Sequence, residues 1–443
     1  MSKRQKASQQ GAPFKSGKQS AANTYAQKAR KHYSQGEFDR AIKLLKQAIA
    51  LAPTSALHRE LGQWFLKIKR QKEGIQHLET AIKFDTNSVI ALTELGQEYT
   101  KQNNPERAHS LIEKALSLSE EHPAAHFAYG NLLQKQGDLP NAVKHLRAAL
   151  KFKLANPVNP GEPPAPTHGF NKAETEELMW STLSVLARSG IHAFASYGTL
   201  LGIIREGGLL PFDKDIDFGL PHSEMDRAAE CLKNNGWVEA GNSFLINPRA
   251  FVHLLTGVTL DLSGFVVDSK TGETFTGFWM TSIPYEWARN TRYDEIRLRK
   301  RLSPANDPLW ELENPEAWLE SIYGDWRTPD PDFDTVIAAK NLYSFSLLTQ
   351  TYAFARIYSK WQNGQIRKAL ALARHTQRHL SGDRLLSDIE AYLSSVAPKA
   401  PALRDNEDVS LQSYDSEPIS LKLIDTDFAA ESENDTETLR FDS

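Results

Sequence analysis

Small residues recur in this chain at a nearly constant step of 34. Gly62, Gly96 and Gly130 form one ladder, and Leu61, Leu95 and Tyr129 precede them with Phe65, Tyr99 and Leu133 following. A second ladder, Ala41, Gly74, Ala108 and Ala142, and a third, Ala48, Ala81, Ala115 and Ala149, keep the same step. Leu45, Leu78, Ile112 and Leu146 lie between the last two. A period of this length holds two helices and their turns, with small residues where the helices come close and large ones between. Such a pair cannot bury its apolar face alone, so the copies must stack into a solenoid.

The pattern resembles the tetratricopeptide repeat, with about four copies over 23–155. That resemblance implies a protein partner. The proline-dense stretch "LANPVNPGEPPAPTHG" follows and cannot continue a helix, which marks 156–172 as a linker. A helical pattern from Ala173 to Arg188 opens the next region, 173–335, and further helices are expected over 336–397, broken at Gly364 and Gly382, either packed on the catalytic sheet or forming a degenerate extra repeat.

The net charge of −3 hides two unlike ends. Residues 1–31 carry eight Lys or Arg and no acid, while 401–443 carry twelve Asp or Glu against three basic residues. Segments 1–22 and 398–443 therefore read as a basic and an acidic disordered tail. At this charge density nucleic acid is not an expected partner, and membrane contact is at most peripheral. The single cysteine, Cys231, excludes an internal disulfide or a cysteine-rich zinc site. No apolar run approaches the roughly 20 residues that span a bilayer. The expectation is a cytoplasmic protein, at most touching the inner membrane face. The thirteen histidines show no close ligand pair.

The chemistry concentrates in "ASYGTLLGIIREGGLLPFDKDIDFGL", residues 195–220. Asp213, Asp215 and Asp217 alternate with other residues, and on a strand side chains two apart face the same way, roughly 7 Å apart. Clustered carboxylates repel, and a divalent cation removes the conflict. Oxygen ligands without a nearby thiol suit Mg²⁺ or Mn²⁺. Asp261, between Leu260 and Leu262 in an alternating strand pattern, is the candidate third metal ligand beside Asp215 and Asp217.

A Gly-Thr turn after a strand, an Asp-x-Asp and a later Asp flanked by apolar residues resemble the nucleotidyltransferase superfamily. More narrowly, "YGTLLGIIREGGLLPFDKDIDFGL" is similar to the signature of the LicD/fukutin family, G-T-L-L-G, an Arg, then P-W-D-x-D-[IV]-D. Phe212 stands where Trp is usual. "NPEAWLESIYGDWRTPDPDFDT" is similar to that family's Y-G-D-W segment. The resemblance implies metal-dependent transfer of a phospho-alcohol group, phosphocholine or a polyol phosphate, from a CDP-linked donor to a glycan hydroxyl. It implies that Tyr197, Gly198, Thr199 and Gly202 contact substrate, that Arg205 clamps a phosphate, and that Asp213 either deprotonates the acceptor or binds a second metal. The expected architecture is multidomain, an all-α tetratricopeptide solenoid followed by an α+β nucleotidyltransferase-like domain and C-terminal helices. Two other functions fit the same residues: nucleotide transfer to a protein or small molecule, and a scaffold that has lost its activity.

Overall fold

The computed structural model describes residues 12–158, 161, 171–210, 215–240 and 244–398. The tails, most of the proline-dense linker and Asp213 with its neighbours 211–214 lie outside the described residues. The chain divides into two compact units at Leu132 and Leu133.

In the first unit seven helices follow one another: α1 (Ala12–Ser34), α2 (Phe38–Leu51), α3 (Ser55–Lys67), α4 (Gln71–Phe84), α5 (Val89–Lys101), α6 (Pro105–Leu118) and α7 (Pro123–Gln136), whose last residues pass the division. They form the helical solenoid that the 34-residue step requires. The small-residue ladders work by close approach. A Cβ on Gly62 would lie 2.9 Å from the Gly74 carbonyl oxygen, and one on Gly96 would lie 2.5 Å from Ile112 Cγ1. Ion pairs join successive odd-numbered helices, Arg30 to Glu60 at 2.7 Å and Arg59 to Glu94 at 2.9 Å. The fold also brings together a histidine pair that spacing did not disclose. His58 and His77 meet Nδ1 to Nδ1 at 3.1 Å, and burial lowers the pKa of both, His77 to about 4.

The second unit contains, in chain order, α8 (Leu139–Ala155), α9 (Lys172–Arg188), β1 (Phe194–Ala195), α10 (Tyr197–Glu206), β2 (Asp215–Pro221), α11 (Met225–Asn234), β3 (Trp237–Glu239), β4 (Arg249–His253), β5 (Thr259–Val267), β6 (Thr274–Phe278), β7 (Arg289–Tyr293), β8 (Leu298–Leu302), β9 (Pro308–Leu312), α12 (Pro315–Tyr323), α13 (Leu347–Gln362), α14 (Ile366–His379) and α15 (Arg384–Val396). The sheet runs β1-β2-β5-β4-β3, with β6 and β7 continuing from β5 and the β8–β9 hairpin separate. Only the β2–β5 pair of these neighbours is parallel. Alternation then splits the sheet into two chemically unlike faces. Ile216, Phe218, Leu260, Leu262 and Phe251 are fully buried, in a core with Met179, Leu183 and Leu186 of α9 and Ala228, Ala229 and Leu232 of α11. The other face carries the aspartates.

The last helices reproduce the geometry of the repeats. In each earlier helical pair a residue with positive φ sits two before the second helix: Gly36, Lys69, Asn103 and Gly137. Gly364 occupies that place before α14, with φ 74°. The next residue's amide reaches back five residues each time, Glu37 to His32, Arg70 to Phe65, Asn104 to Tyr99, Asp138 to Leu133 and Gln365 to Lys360, at 2.8–3.0 Å. Ala369 matches Ala41, Ala108 and Ala142 in position and in complete burial. Helices α13 and α14 are thus a further helical pair of the same kind, and α13 packs on α8. Lys153 of α8 donates to Gln362 at 2.8 Å, and Arg147 pairs with Asp383 at the start of α15.

Candidate active site

The site forms where two parallel interior strands carry acids on one face. Asp217 is the register partner of Asp261, and Asp215 that of Thr259. Neighbouring strands lie ~4.8 Å apart, so the Asp217 and Asp261 backbones stand side by side. Burial first, and Asp215 second, raise the Asp261 carboxyl from 3.8 to about 6. That is the signature of a carboxylate crowded by another and short of water.

Helix α10 starts directly against Asp217. The Gly198 amide donates to Asp217 Oδ2 at 3.2 Å, the Asp217 amide donates to Thr199 Oγ1 at 2.8 Å, and the Ser196 amide donates to the Asp217 carbonyl at 3.0 Å. Tyr197 takes φ 43°, a left-handed conformation unusual for a residue with a side chain, which turns strand into helix within one residue. Its ring is held against Trp318, and the Tyr293 hydroxyl approaches the Tyr197 hydroxyl at 3.4 Å. Burial pushes the Tyr197 phenol well above its usual range.

The residues expected at the site have different fates. Asp215, Asp217 and Asp261 share one face, and Gly198 touches Asp217. Thr199 is fully buried and its oxygen receives the strand amide rather than standing open. Gly202 is closely packed: a Cβ there would lie 2.6 Å from the Gly208 carbonyl oxygen and 2.9 Å from the Leu210 amide. Arg205 donates to Glu206 at 2.9 Å and to the Trp326 carbonyl at 3.1 Å, tying α10 to the chain beyond α12.

Among the described residues, no group of three or more His, Cys, Asp and Glu side chains is placed to hold a metal ion. The donor chemistry nevertheless fits a hard divalent cation. The three acids present oxygen donors on one face, and the raised Asp261 carboxyl is a charge conflict of the kind such an ion would relieve. Ser196, fully buried beside the start of α10, has a hydroxyl with no partner, a spare polar atom next to these acids.

A second run of alternate acids, Asp330, Asp332 and Asp334, has the same spacing and a structural fate. Arg367 of α14 pairs with Asp332 at 2.6 Å and Arg356 of α13 with Asp334 at 2.5 Å. Arg289 was not legible as important. It is 3% exposed, makes no ion pair among the described residues, and donates to the Thr335 and Val336 carbonyls at 2.6 and 3.1 Å. No spacing signal could have found it, because its partners are backbone atoms nearly fifty residues away. The basic strand β8 is partly compensated locally, Arg299 and Arg301 sharing the one carboxylate of Glu311 while Lys300 lies over the Trp310 ring.

Residues 190–291 match the family model described as LicD/FKTN/FKRP, nucleotidyltransferase domain, and residues 27–88 and 93–157 match one for the tetratricopeptide repeat. Among curated proteins the chain is 27% identical over 126 residues to human Protein O-mannosyl-transferase TMTC1, covering 27% of this chain and 14% of that protein. It is 28% identical over 149 residues to human Antiviral innate immune response effector IFIT1, covering 27% of this chain and 31% of that protein. The chain thus spans less than a third of the length of either relative. The crystal structure of MamA protein is 21% identical and covers 30% of this chain and 73% of its own, with a TM-score of 0.28, too low a likeness to carry an argument. The chain therefore combines tetratricopeptide repeats with a nucleotidyltransferase domain of the LicD/FKTN/FKRP family.

Proposed function

We propose that this domain transfers a phospho-alcohol group, phosphocholine or a polyol phosphate, from a CDP-linked donor to a glycan hydroxyl. The reading rests on the family match and on one observation, the start of α10 bonded to Asp217 with Asp261 alongside. Displacement at phosphorus calls for alignment and charge neutralisation more than for covalent help from the protein. Asp215, Asp217 and Asp261 are the residues that would hold Mg²⁺ or Mn²⁺. Such an ion, when bound, supplies charge neutralisation at the donor diphosphate. The chain's own contribution is placement. Donation from the Ser196 and Gly198 amides to Asp217, and from the Asp217 amide to Thr199 Oγ1, fixes the start of α10 on the Asp217 backbone and carboxylate, and the Tyr197–Tyr293–Trp318 cluster holds the turn that makes those bonds possible. The repeats supply a surface for a protein partner. No helix among the described residues is long and apolar enough to cross a membrane, and we place the reaction in the cytoplasm, at most against the inner membrane face.

Calorimetric titration with CDP-choline, CDP-ribitol, CMP, UTP and ATP, with and without Mg²⁺ or Mn²⁺, tests this in the wild type and in Asp215→Asn/Asp217→Asn. Metal-dependent binding of a CDP-linked ligand, lost in the double variant, is the expected result. Binding of UTP or ATP alone would mean nucleotide transfer instead, and a folded protein that binds no nucleotide would be a scaffold.

A further inference from the structure

Ser196 Oγ is fully buried and has no hydrogen-bond partner. Buried hydroxyls are nearly always bonded, so an orphan calls for a reason. The ordinary reason fails here. Ser196 is the N-cap of α10, where a serine oxygen usually accepts from the second or third amide of the helix, yet its side chain caps nothing. The second amide, that of Gly198, donates to Asp217 Oδ2 at 3.2 Å instead. The carboxylate has taken the capping role and the hydroxyl is left over. Register fixes where it stands. Phe194 pairs with Gly219 and Ala195 with Phe218, and the Ser196 amide donates to the Asp217 carbonyl at 3.0 Å, so Ser196 lies opposite Asp217. Asp217 in turn lies opposite Asp261. The Ser196 backbone is extended, φ −134° and ψ 173°, and alternation carries its side chain to the face opposite Ala195, which is the face of the acids. Directly opposed residues on antiparallel strands have Cβ atoms roughly 4.5–5.5 Å apart, close enough for two side-chain oxygens to converge on one ion. Among the described residues, Ser196 Oγ is the one orphaned buried atom in register with an acid of the site.

We propose that Ser196 is a further oxygen ligand of the divalent cation, beside Asp215, Asp217 and Asp261. The proposal rests on the metal site read above and does not depend on which group is transferred. A neutral hydroxyl adds a donor without adding charge to acids that already crowd one another, and serine or threonine hydroxyls hold Mg²⁺ in other phosphate-handling sites. Exclusion of water does not exclude the ion. An Mg²⁺–oxygen bond is about 2.1 Å long, shorter than the roughly 2.8 Å at which water approaches a hydroxyl. The atom at this position also sets the choice of metal: oxygen suits Mg²⁺ and Mn²⁺, whereas sulfur in its place suits softer ions.

The test exchanges that one oxygen in the full chain. Mn²⁺ binding is followed by loss of the free-ion EPR signal, with and without CMP, in the wild type, Ser196→Ala, Ser196→Cys and Asp217→Asn. Melting is followed in EDTA, and Cd²⁺ binding by the ultraviolet sulfur-to-cadmium band. Ser196→Ala should bind Mn²⁺ at least about tenfold more weakly than wild type. It should melt no lower in EDTA, because it deletes a hydroxyl that has no partner. Ser196→Cys should lose Mn²⁺ affinity and gain a Cd²⁺ band that the wild type, whose one cysteine is Cys231, lacks and that Ser196→Cys/Asp217→Asn loses. A purely structural serine would move the melting point and leave the metal preference alone. Wild-type Mn²⁺ affinity in Ser196→Ala, or no Cd²⁺ band in Ser196→Cys, overturns the ligand role and leaves the acids' own site standing. Weaker CMP binding in Ser196→Ala at unchanged Mn²⁺ affinity overturns it too, and gives the hydroxyl to the nucleotide. No Mn²⁺ binding by the wild type, with CMP or without, overturns the metal site and the proposal together.

Discussion

Replacing Asp261 by Asn should stabilise the metal-free protein at neutral pH. Asp261 lies in β5 beside Asp217, and burial together with Asp215 moves its carboxyl from 3.8 to about 6. A folded-state pKa above the unfolded value means that the folded state holds the proton more tightly. The stability linked to that proton is complete below about pH 4 and is lost as pH rises through about 6. By pH 7.5 the ionised carboxylate costs the native state about 3 kcal/mol, at 1.36 kcal/mol for each pKa unit. Asn has the same shape and no charge to desolvate. In EDTA at pH 7.5 the variant should therefore melt higher than wild type by roughly 5 °C, and the two curves should converge near pH 4. Adding Mg²⁺ should raise the wild type and leave the variant where it was. Differential scanning calorimetry across pH 4–8 measures all of this. A variant that is less stable than wild type at pH 7.5, or a difference that ignores pH, would refute the reasoning that Asp261 is a crowded, desolvated carboxylate.

Three further outcomes follow from the packing. Gly202→Ala drives a Cβ into the Gly208 carbonyl and the Leu210 amide, backbone that cannot turn aside, and should cost about 1–3 kcal/mol in urea unfolding; full stability with lost nucleotide binding would instead make Gly202 a ligand contact. Arg289→Met strips the donors from the Thr335 and Val336 carbonyls in a buried place and should cost about 2–4 kcal/mol, with Lys recovering part of it. Asp383→Ala removes both the cap of α15 and the partner of Arg147, so hydrogen exchange over 384–396 should quicken while β2 and β5 keep their protection.

The helical repeats were legible because one physical constraint, close helix contact, forces small residues to recur at the length of the unit. Gly62 opposite Gly74 is that constraint in atoms. For the pair α13–α14 the same reading leaves a degenerate repeat and helices packed on the sheet equally open. Ile357 stands twelve residues before Ala369, where Gly62, Gly96 and Gly130 stand twelve before Gly74, Ala108 and Ala142. The turn geometry is the same with Ile357 in place of the glycine, and only the folded chain displays it. The acids divide in the same way. Asp215-x-Asp217 and Asp332-x-Asp334 have equal spacing, and sequence separated them only through the apolar residues and the Gly-Thr turn around the first.

The sequence by itself determined the helical solenoid and the interior strands of the aspartate region, since these depend on local periodicity and on residue types a few positions apart. Tertiary structure alone decided that Asp217 and Asp261 are register partners, that Gly202 lies against the Gly208 carbonyl, that Arg205 reaches the Trp326 carbonyl, and that Arg289 holds a distant backbone segment. Most of these join residues tens of positions apart, and chain spacing carries no record of which strand edge or carbonyl a side chain will meet.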